Sequence, residues 1–345
     1  MAKFDVLVPC YNYGRFLTDC VRSVLDQSIA DVRILIIDDA SSDSSVEIAR
    51  GLAESDPRVN VVAHASNKGH IATYNEGIEW ADSDYFLLLS ADDLLVPGAF
   101  ERAASIMDSR PEVGLTYGEC LVWRRDTPRP VVNPVQGCRW TKQDVVADMC
   151  RTGSDFVATA TAIARTSVQK AVGGYRPSLP HSGDLEMWLR FGVHAEVAKI
   201  EAVQGIYRKH DSAMSNPYLA EMMTEYGQRK AAFDSFFETC RDRRRDMPSL
   251  QRQVAHALAD QAFDTGVSYI RQGRIESGFT LLRWAMSLDS RMCYLPPVWR
   301  LLRMPGPEGR RRLLSLMRTP KARRPKLLRT SAAIPALGAD RDRRS

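Results

Sequence analysis

Two adjacent carboxylates, Asp92 and Asp93, follow the apolar run Tyr85–Leu89, with only Ser90 and Ala91 between. Acidic side chains at the end of a buried strand can hold a hard divalent cation against a phosphate, because Mg²⁺ and Mn²⁺ prefer oxygen ligands and share them with substrate. An Asp-rich surface turn is the plain alternative, and the pair alone does not decide. Three other apolar runs end in the same way. Phe4–Val8 runs into Pro9, Cys10, Tyr11, Asn12 and Tyr13; Val32–Ile37 runs into Asp38, Asp39, Ala40, Ser41, Ser42 and Asp43; Val59–Ala63 leads to Asn67, Lys68 and Gly69. Tyr11 offers a ring on which a base can stack, and a carboxylate such as Asp39 can accept the N3–H of uracil or thymine. No Gly-x-Gly-x-x-Gly or Gly-x-x-x-x-Gly-Lys-Ser/Thr loop is present to cradle phosphates. A metal on Asp92 and Asp93 would supply that neutralisation instead.

These clusters share one cleft only if the four runs are strands of one sheet. Short continuous apolar runs bounded by turn residues suit strands buried on both faces. Helical spacing fills the gaps between them. Leu17, Cys20, Val21, Val24 and Leu25 repeat after the first run, Val46, Ile48, Ala49 and Leu52 after the second, and Ile71, Tyr74, Asn75 and Ile78 after the third. Ser44 with Glu47 reads as a capping box for the second helix, and Pro97 begins a fourth that runs through Met107. Such alternation implies right-handed crossovers and a mostly parallel α/β sheet flanked by helices, with ligands outside the carboxyl ends of the strands.

After residue 111 the pattern loosens. Val113–Trp123, Phe156–Ala164 and Val197–Tyr207 read as strands, Arg124–Gly137 as a Pro-rich loop, and Gly183–Gly192 as a helix. From about Pro217 only helical patterns appear, including Ala255–Ile270 and Ile275–Leu288. The expected organisation is an α/β domain over 1–215, in two parts, 1–110 and 111–215. A helical region with a basic tail follows over 216–330, and 331–345 is expected to be disordered.

Composition narrows the class. With 345 residues, 44% hydrophobic and 26% charged, the chain is an ordinary globular protein. Seven scattered cysteines without a Cys-x-x-Cys pair indicate neither a disulfide framework nor a zinc site. No run reaches the roughly 20 apolar residues of a membrane span, and Asp5 with Pro9 breaks any signal-peptide pattern at the start. The cytoplasm is the expected compartment. The net charge of +5 is concentrated in the tail, where Arg310–Arg329 holds nine Lys or Arg and no acidic residue. The body is near neutral, which argues against nucleic acid as its partner.

The ordered set Val8-Pro9-Cys10-Tyr11-Asn12, Asp38-Asp39-Ala40-Ser41, Asn67-Lys68-Gly69 with Asn75-x-Gly77, and Ser90-Ala91-Asp92-Asp93 resembles the successive signatures of family 2 glycosyltransferases. The likeness extends over residues 3–215 and implies nucleotide-sugar binding in 1–110 and the acceptor side in 111–215. It implies the GT-A nucleotide-sugar-binding fold, a divalent metal (Mn²⁺ or Mg²⁺), and transfer with inversion at the anomeric carbon. It implies further that Tyr11 and Asp39 hold the base, Asp92 the ribose side and Asp93 the metal, with Pro9, Asn12, Asn67, Gly69 and Asn75 among the nucleotide-sugar contacts. The segments Gly173-Gly174-Tyr175, Gly183–Arg190 and Tyr207-Arg208-Lys209-His210 resemble the family's acceptor side. Asp184 then matches the catalytic base. An N-cap is its other reading, compatible with the first, and Glu186 is the alternative base, expected to face another way. His210 could reach the metal or the diphosphate and Arg208 a phosphate, against structural roles for both. Trp188 sits with Leu185 and Leu189 at helical spacing, which favours core packing over acceptor stacking.

Two departures from the family pattern stand out. Ser90 replaces the acidic residue that often completes an Asp-x-Asp, and Gly183 replaces the Glu that commonly precedes the base. The expected donor is a UDP- or dTDP-sugar and the acceptor a saccharide or lipid-linked saccharide, in bacterial surface-polysaccharide or glycolipid assembly. A sugar-phosphate nucleotidyltransferase is disfavoured because Pro9–Gly14 is not its glycine-rich basic loop. A non-catalytic sugar-nucleotide-binding scaffold is the alternative from another class. Leu313, Leu314, Leu316 and Met317 among arginines could lie on an anionic membrane surface, at ~1 kcal/mol per basic residue, or the tail is simply solvated.

Overall fold

The computed structural model describes residues 3–124, 127–133, 137–214 and 222–289. The first four strands are β1 (Phe4–Cys10), β2 (Val32–Asp38), β3 (Val59–Ala63) and β4 (Tyr85–Leu88), each of the first three followed by a helix: α1 (Gly14–Leu25), α2 (Ser45–Ser55) and α3 (His70–Trp80). They pair in parallel in the order β3-β2-β1-β4. The sheet then continues through shorter and longer pieces: β5 (Leu94–Leu95), α4 (Ala99–Ser109), β6 (Val113–Arg124), β7 (Trp140–Gln143), α5 (Val145–Thr152), β8 (Ile163–Arg165), α6 (Thr166–Val172), α7 (Gly183–His194) and β9 (Glu196–Lys209). Beyond β4 the order is β8-β6-β9-β5, with β7 beside β9. β8 runs antiparallel to both β4 and β6, while β6 and β9 are parallel. The sheet is therefore mostly parallel and flanked by helices, as expected.

Alternation along the strands builds two apolar layers. Phe4, Val6, Val8, Ile34 and Ile36 meet α1, α2 and α4, with Phe4 stacked on Phe100 at 4.1 Å between ring centroids. Each such fully buried side chain contributes about 2 kcal/mol. Within this frame Asp5 is wholly buried, and its carboxylate accepts from Arg33 Nε and Nη2 at 2.8 and 2.7 Å and from the Asp82 and Ser83 amides at 2.7 and 2.8 Å. It pins β2 and the turn before β4 to β1 at the end of the sheet opposite the polar clusters.

Several boundaries differ from the sequence expectation for identifiable reasons. The capping box at Ser44 does not form; Asp43, one residue earlier, accepts from the Ser45 amide at 3.0 Å and from Gly14 N at 3.2 Å. The helix expected from Pro97 starts at Ala99, because Gly98 takes a left-handed conformation. The strand expected over Phe156–Ala164 is instead a tight turn at Thr159–Thr161 followed by the short β8. Part of the Arg124–Gly137 loop lies outside the described residues.

The C-terminal helices are α8 (Met222–Thr239), α9 (Met247–Arg271) and α10 (Ile275–Leu288). They pack on the α5–α7 side, and residues through Ser290 form one compact unit. Gln261 on α9 donates to the Thr152 carbonyl at 2.6 Å, and Arg229 on α8 reaches Ser154 Oγ at 3.2 Å. Among the described residues no helix is long and apolar enough to cross a membrane. The basic segment Arg310–Arg329, for which a membrane surface was considered, and the 331–345 terminus lie outside the described residues.

Replacing Asp5 by Ala takes the acceptor from the Asp82 and Ser83 amides, leaves Arg33 with Asp82 alone, and should lower stability by about 3 kcal/mol in urea denaturation. Burial alone would raise the Asp5 pKa, but Arg33 and the Ser83 and Asp82 donors outweigh it and hold the group below the usual carboxylate range. The contribution is thus present above about pH 4 and lost as pH falls through the depressed value. The gap between wild type and Asp5→Ala should narrow on acidification, and a gap independent of pH would contradict this account.

Candidate active site

The four polar clusters emerge at one edge of the sheet and are laced together. Asn12, at a φ of +58°, accepts the Ser42 amide at 2.8 Å while its own amide donates to Ser41 Oγ at 2.8 Å. Asp38 accepts from Ser41 N and Oγ at 2.9 and 2.6 Å, which closes the turn that carries Ala40 at a φ of +62°. Asp39 lies beside it, buried, and gathers the third cluster. Its Oδ1 meets His64 Nδ1 and Lys68 N, both at 2.8 Å, and its Oδ2 accepts from Gly69 N at 2.8 Å. Burial pushes the Asp39 pKa up, but His64 and these amides outweigh it and leave the carboxyl below its ordinary range. Gly69 has a φ of +85°, a conformation in which a side chain is strained, and this turn delivers its amide to Asp39 as α3 begins. Asn67 fastens the loop by donating to the Asp39 carbonyl at 3.1 Å. Pro9 sits in β1 beyond the last residue paired with β4, where a missing N–H is tolerated. Tyr11 projects from the edge with 50% of its surface exposed.

Asp92 and Asp93 are positioned by β5. This two-residue strand pairs antiparallel with β9, Leu94 opposite Ile206, and draws the acidic pair against the end of β9. Asp93 Oδ1 accepts the Arg208 amide at 3.0 Å, and Asp92 Oδ2 meets His210 Nε2 at 2.9 Å. The Asp93 carboxyl is held well above its ordinary pKa by burial, and the neighbouring Asp92 charge adds to the effect. The Arg208 guanidinium lies between Phe16 and Trp123, 4.7 and 4.5 Å from the ring centroids, and pairs with Asp19 at 3.2 Å. Its positive charge acts on Asp93 against the effect of burial.

Two buried carboxylates crowded together form a hard, all-oxygen donor set, which fits a divalent cation that takes its remaining ligands from a diphosphate. Among the described residues no three His, Cys, Asp or Glu side chains make a ready metal cluster, so such an ion would depend on substrate oxygens. His210 orients Asp92 through the nitrogen that it turns toward that carboxylate.

Asp184 stands on the acceptor side, in the first turn of α7. The N-cap is Ser182, so the capping reading of Asp184 does not hold. Thr159 Oγ1 donates to Asp184 Oδ2 at 2.8 Å, and the Tyr175 phenol lies against it. Burial raises the Asp184 pKa, and Thr159 and Tyr175 offset this only partly. Gly183 acquires a reason here: a Cβ would sit 3.0 Å from the Tyr175 ring, tighter than ordinary contact, so a larger residue would push that ring back from the start of α7 by a few tenths of an ångström. Glu186 faces the opposite way, fully buried against Arg190 at 2.7 Å and Arg176 at 2.6 Å, and is structural. Trp188 is in the core beside Phe191. Asn75 turns to the acceptor side as well, its amide accepting from Tyr175 N at 2.7 Å and donating to Tyr175 O at 2.9 Å.

The two halves meet at Tyr74. Burial raises the pKa of this phenol, the negative charges of Asp184, Asp92 and Asp93 add to the effect, and its ring packs 5.3 Å from that of Tyr175. Tyr74, Thr159 and His64 were not singled out by the sequence. Tyr74 was assigned to a helical apolar face. Thr159 sits in a stretch read as strand. His64 carried one available signal, its place as the first residue after a strand that ends at the cleft.

The architecture is the GT-A nucleotide-sugar-binding fold. It resembles solved structures of that class at identities that speak to fold alone: S. aureus TarS 1-349 in complex with UDP-GlcNAc (TM-score 0.58, 16% identity, 74% of this chain and 72% of that one), and the mannosyltransferase PcManGT from Pyrobaculum calidifontis in complex with GDP-Man and Mn²⁺ (TM-score 0.55, 13% identity, 91% and 79%). Residues 5–158 match the family described as Glycosyl transferase family 2, a stretch that ends just before Thr159. The uncharacterized glycosyltransferase YibD of Escherichia coli K12 is 36% identical over 118 residues, 34% of this chain and 33% of that protein. The uncharacterized glycosyltransferase EpsJ of Bacillus subtilis is 34% identical over 132 residues, 38% and 37% respectively. The minor teichoic acid biosynthesis protein GgaB of the same organism is 31% identical over 107 residues, 30% and 12%. The matched segment spans about a third of the first two relatives' length.

Glu186 and Asp184, two residues apart, should behave oppositely. Glu186→Ala strands two arginines and should cost about 3–5 kcal/mol. Asp184→Asn replaces a carboxyl that burial already disfavours as an anion, and its melting temperature should equal or exceed that of wild type. Thermal melts of the two variants decide, and a large loss for Asp184→Asn would make that residue structural.

Proposed function

We propose that the chain is an inverting, metal-dependent glycosyltransferase. It takes a UDP- or dTDP-sugar and a hydroxyl acceptor, a saccharide or lipid-linked saccharide, in bacterial surface-polysaccharide or glycolipid assembly, on the cytoplasmic face of the membrane. The observation that carries this reading is the placement of buried Asp39, Asp92 and Asp93 at one edge of the sheet, with Asp184 in the first turn of α7 held by Thr159 and beside Tyr175, whose ring packs 5.3 Å from that of Tyr74 on α3. The family match over residues 5–158 and the name of the teichoic acid relative support the substrate class.

In this reading Tyr11 stacks on the base and Asp39 accepts its imide N–H, while Asn12, Asn67 and Gly69 hold the two loops in place. Asp93 and Asp92, the latter oriented by His210, would hold Mn²⁺ or Mg²⁺ against the diphosphate. A bound cation there supplies charge neutralisation to the departing nucleoside diphosphate. Asp184 takes the proton from the acceptor hydroxyl as that oxygen bonds to the anomeric carbon. The bond to the diphosphate oxygen breaks on the opposite face, which inverts the centre. Thr159 and the Tyr175 phenol aim the carboxylate, and burial keeps it basic enough to accept the proton.

Asp184→Asn should lower transfer and donor hydrolysis by about a thousandfold, a typical general-base effect, and leave nucleoside diphosphate affinity intact. Retained activity with unchanged binding would exclude Asp184 as base. Because the Asp184 pKa is raised, the acid limb of kcat/KM should lie above the ordinary aspartate value of about 4, with activity falling as pH drops through the raised value. A thermal-shift screen of UDP, dTDP and GDP should show stabilisation by UDP or dTDP that depends on added Mn²⁺. Stabilisation by none of the three would remove the donor-site reading.

A further inference from the structure

Asp39 has four acceptor positions on its two oxygens, and three are filled. Oδ1 takes both His64 Nδ1 and Lys68 N at 2.8 Å, and Oδ2 takes Gly69 N at 2.8 Å. Among the described residues a single position remains, on Oδ2. His64 is locked in this arrangement: its side chain is 2% exposed, and Nε2 meets Glu76 Oε2 at 3.0 Å. Glu76 is held in turn by Lys68 Nζ at 3.2 Å. The ring also follows directly from the sheet, since the His64 amide donates to the Asp38 carbonyl at 2.9 Å. Asp39, His64, Glu76 and Lys68 thus form a closed circuit of hydrogen bonds and ion pairs.

Bases differ in what they ask of a carboxylate. Uracil and thymine present one imide N–H, flanked by carbonyls. Guanine presents two parallel donors, N1–H and N2–H, which pair with both oxygens of a carboxylate. We propose that His64 is a specificity-determining residue of the nucleotide site: by filling Oδ1 it reduces Asp39 to one acceptor, which suits a uracil or thymine imide and denies guanine its second bond. The inference rests on the donor-site reading above and goes beyond it, because it assigns base selection to a residue that does not itself touch the base. Removing the imidazole would leave one open position on each oxygen, the arrangement that guanine needs.

The test is calorimetric titration of UDP and of GDP, each with Mn²⁺, into the full chain. Wild type should bind UDP at least about tenfold more tightly than GDP, the discrimination expected when a buried donor goes unpaired. His64→Leu should weaken UDP severalfold and shrink that ratio by about fivefold or more. His64→Asn places an amide donor where Nδ1 stands and should keep the wild-type ratio. Glu76→Gln, which leaves the His64 bond to Asp39 in place, should also keep it. A purely structural histidine would lower the melting temperature and both affinities together without moving the ratio, and that result overturns the proposal. So does wild type binding GDP as tightly as UDP, which holds even if His64→Leu fails to fold. Wild type binding neither nucleotide sinks the donor-site reading and this inference with it, a pattern distinct from either result above.

Discussion

A carboxylate taken out of water costs several kcal/mol unless donors meet it, and this chain places Asp38, Asp39, Asp92 and Asp93 together at the buried rim of one sheet. That constraint organises the structure. Each strand end must supply donors for the acids of its neighbours, so the loops cannot be arranged independently. Ser41 answers Asp38; His64, Lys68 and Gly69 answer Asp39; Arg208 and His210, more than a hundred residues away in sequence, answer Asp93 and Asp92. The cleft is in effect a set of interlocked acceptors, and the sheet beneath it fixes their spacing.

The acceptor side is joined to this rim by two devices of different scale. Asn75 reaches from α3 to the backbone of Tyr175, so the helix that begins at the Asp39 loop also sets the ring that closes over Asp184. The C-terminal helices act from outside. Gln261 and Arg229 hold the turn at Thr152–Ser154, a few residues before Thr159, and Glu225 pairs with His181 just before α7. Thr159 and Asp184 are thereby braced on both approaches. The helical region is consequently part of what keeps the candidate base in place.

Much of the donor half was legible because its signals are local. Apolar runs of four to six residues, helical spacing between them and turn residues at the strand ends specify a parallel sheet without reference to distant contacts. The second half was harder for a physical reason. β5 is two residues long and β7 four, and both exist by pairing with β9, a dependence that no local pattern reveals. The stretch before β8 is extended enough to read as strand, yet the Thr159–Thr161 turn interrupts it where the carbonyls of Ala158 and Thr159 accept from Thr161 and Ala162. The same limit applies to side chains. Asp39, Asp93 and Asp184 stand out by type and place, whereas the seat of the Arg208 guanidinium between Phe16 and Trp123 is made by tertiary packing alone and has no local signal.

The acids of this molecule also separate by how completely they are answered. Asp5 and Glu186 are surrounded by arginines and amides, their charges settled, and neither faces the cleft. Asp39 is nearly settled, with one acceptor position left on Oδ2 among the described residues. Asp93 and Asp184 differ: burial raises both carboxyls above the usual range, and the donors around them compensate only in part. An anion held in that condition is available to something the protein does not supply, a cation in one case and a proton in the other. A fold that satisfied them as fully as Asp5 would be more stable and would have nothing left with which to bind a metal or deprotonate a hydroxyl.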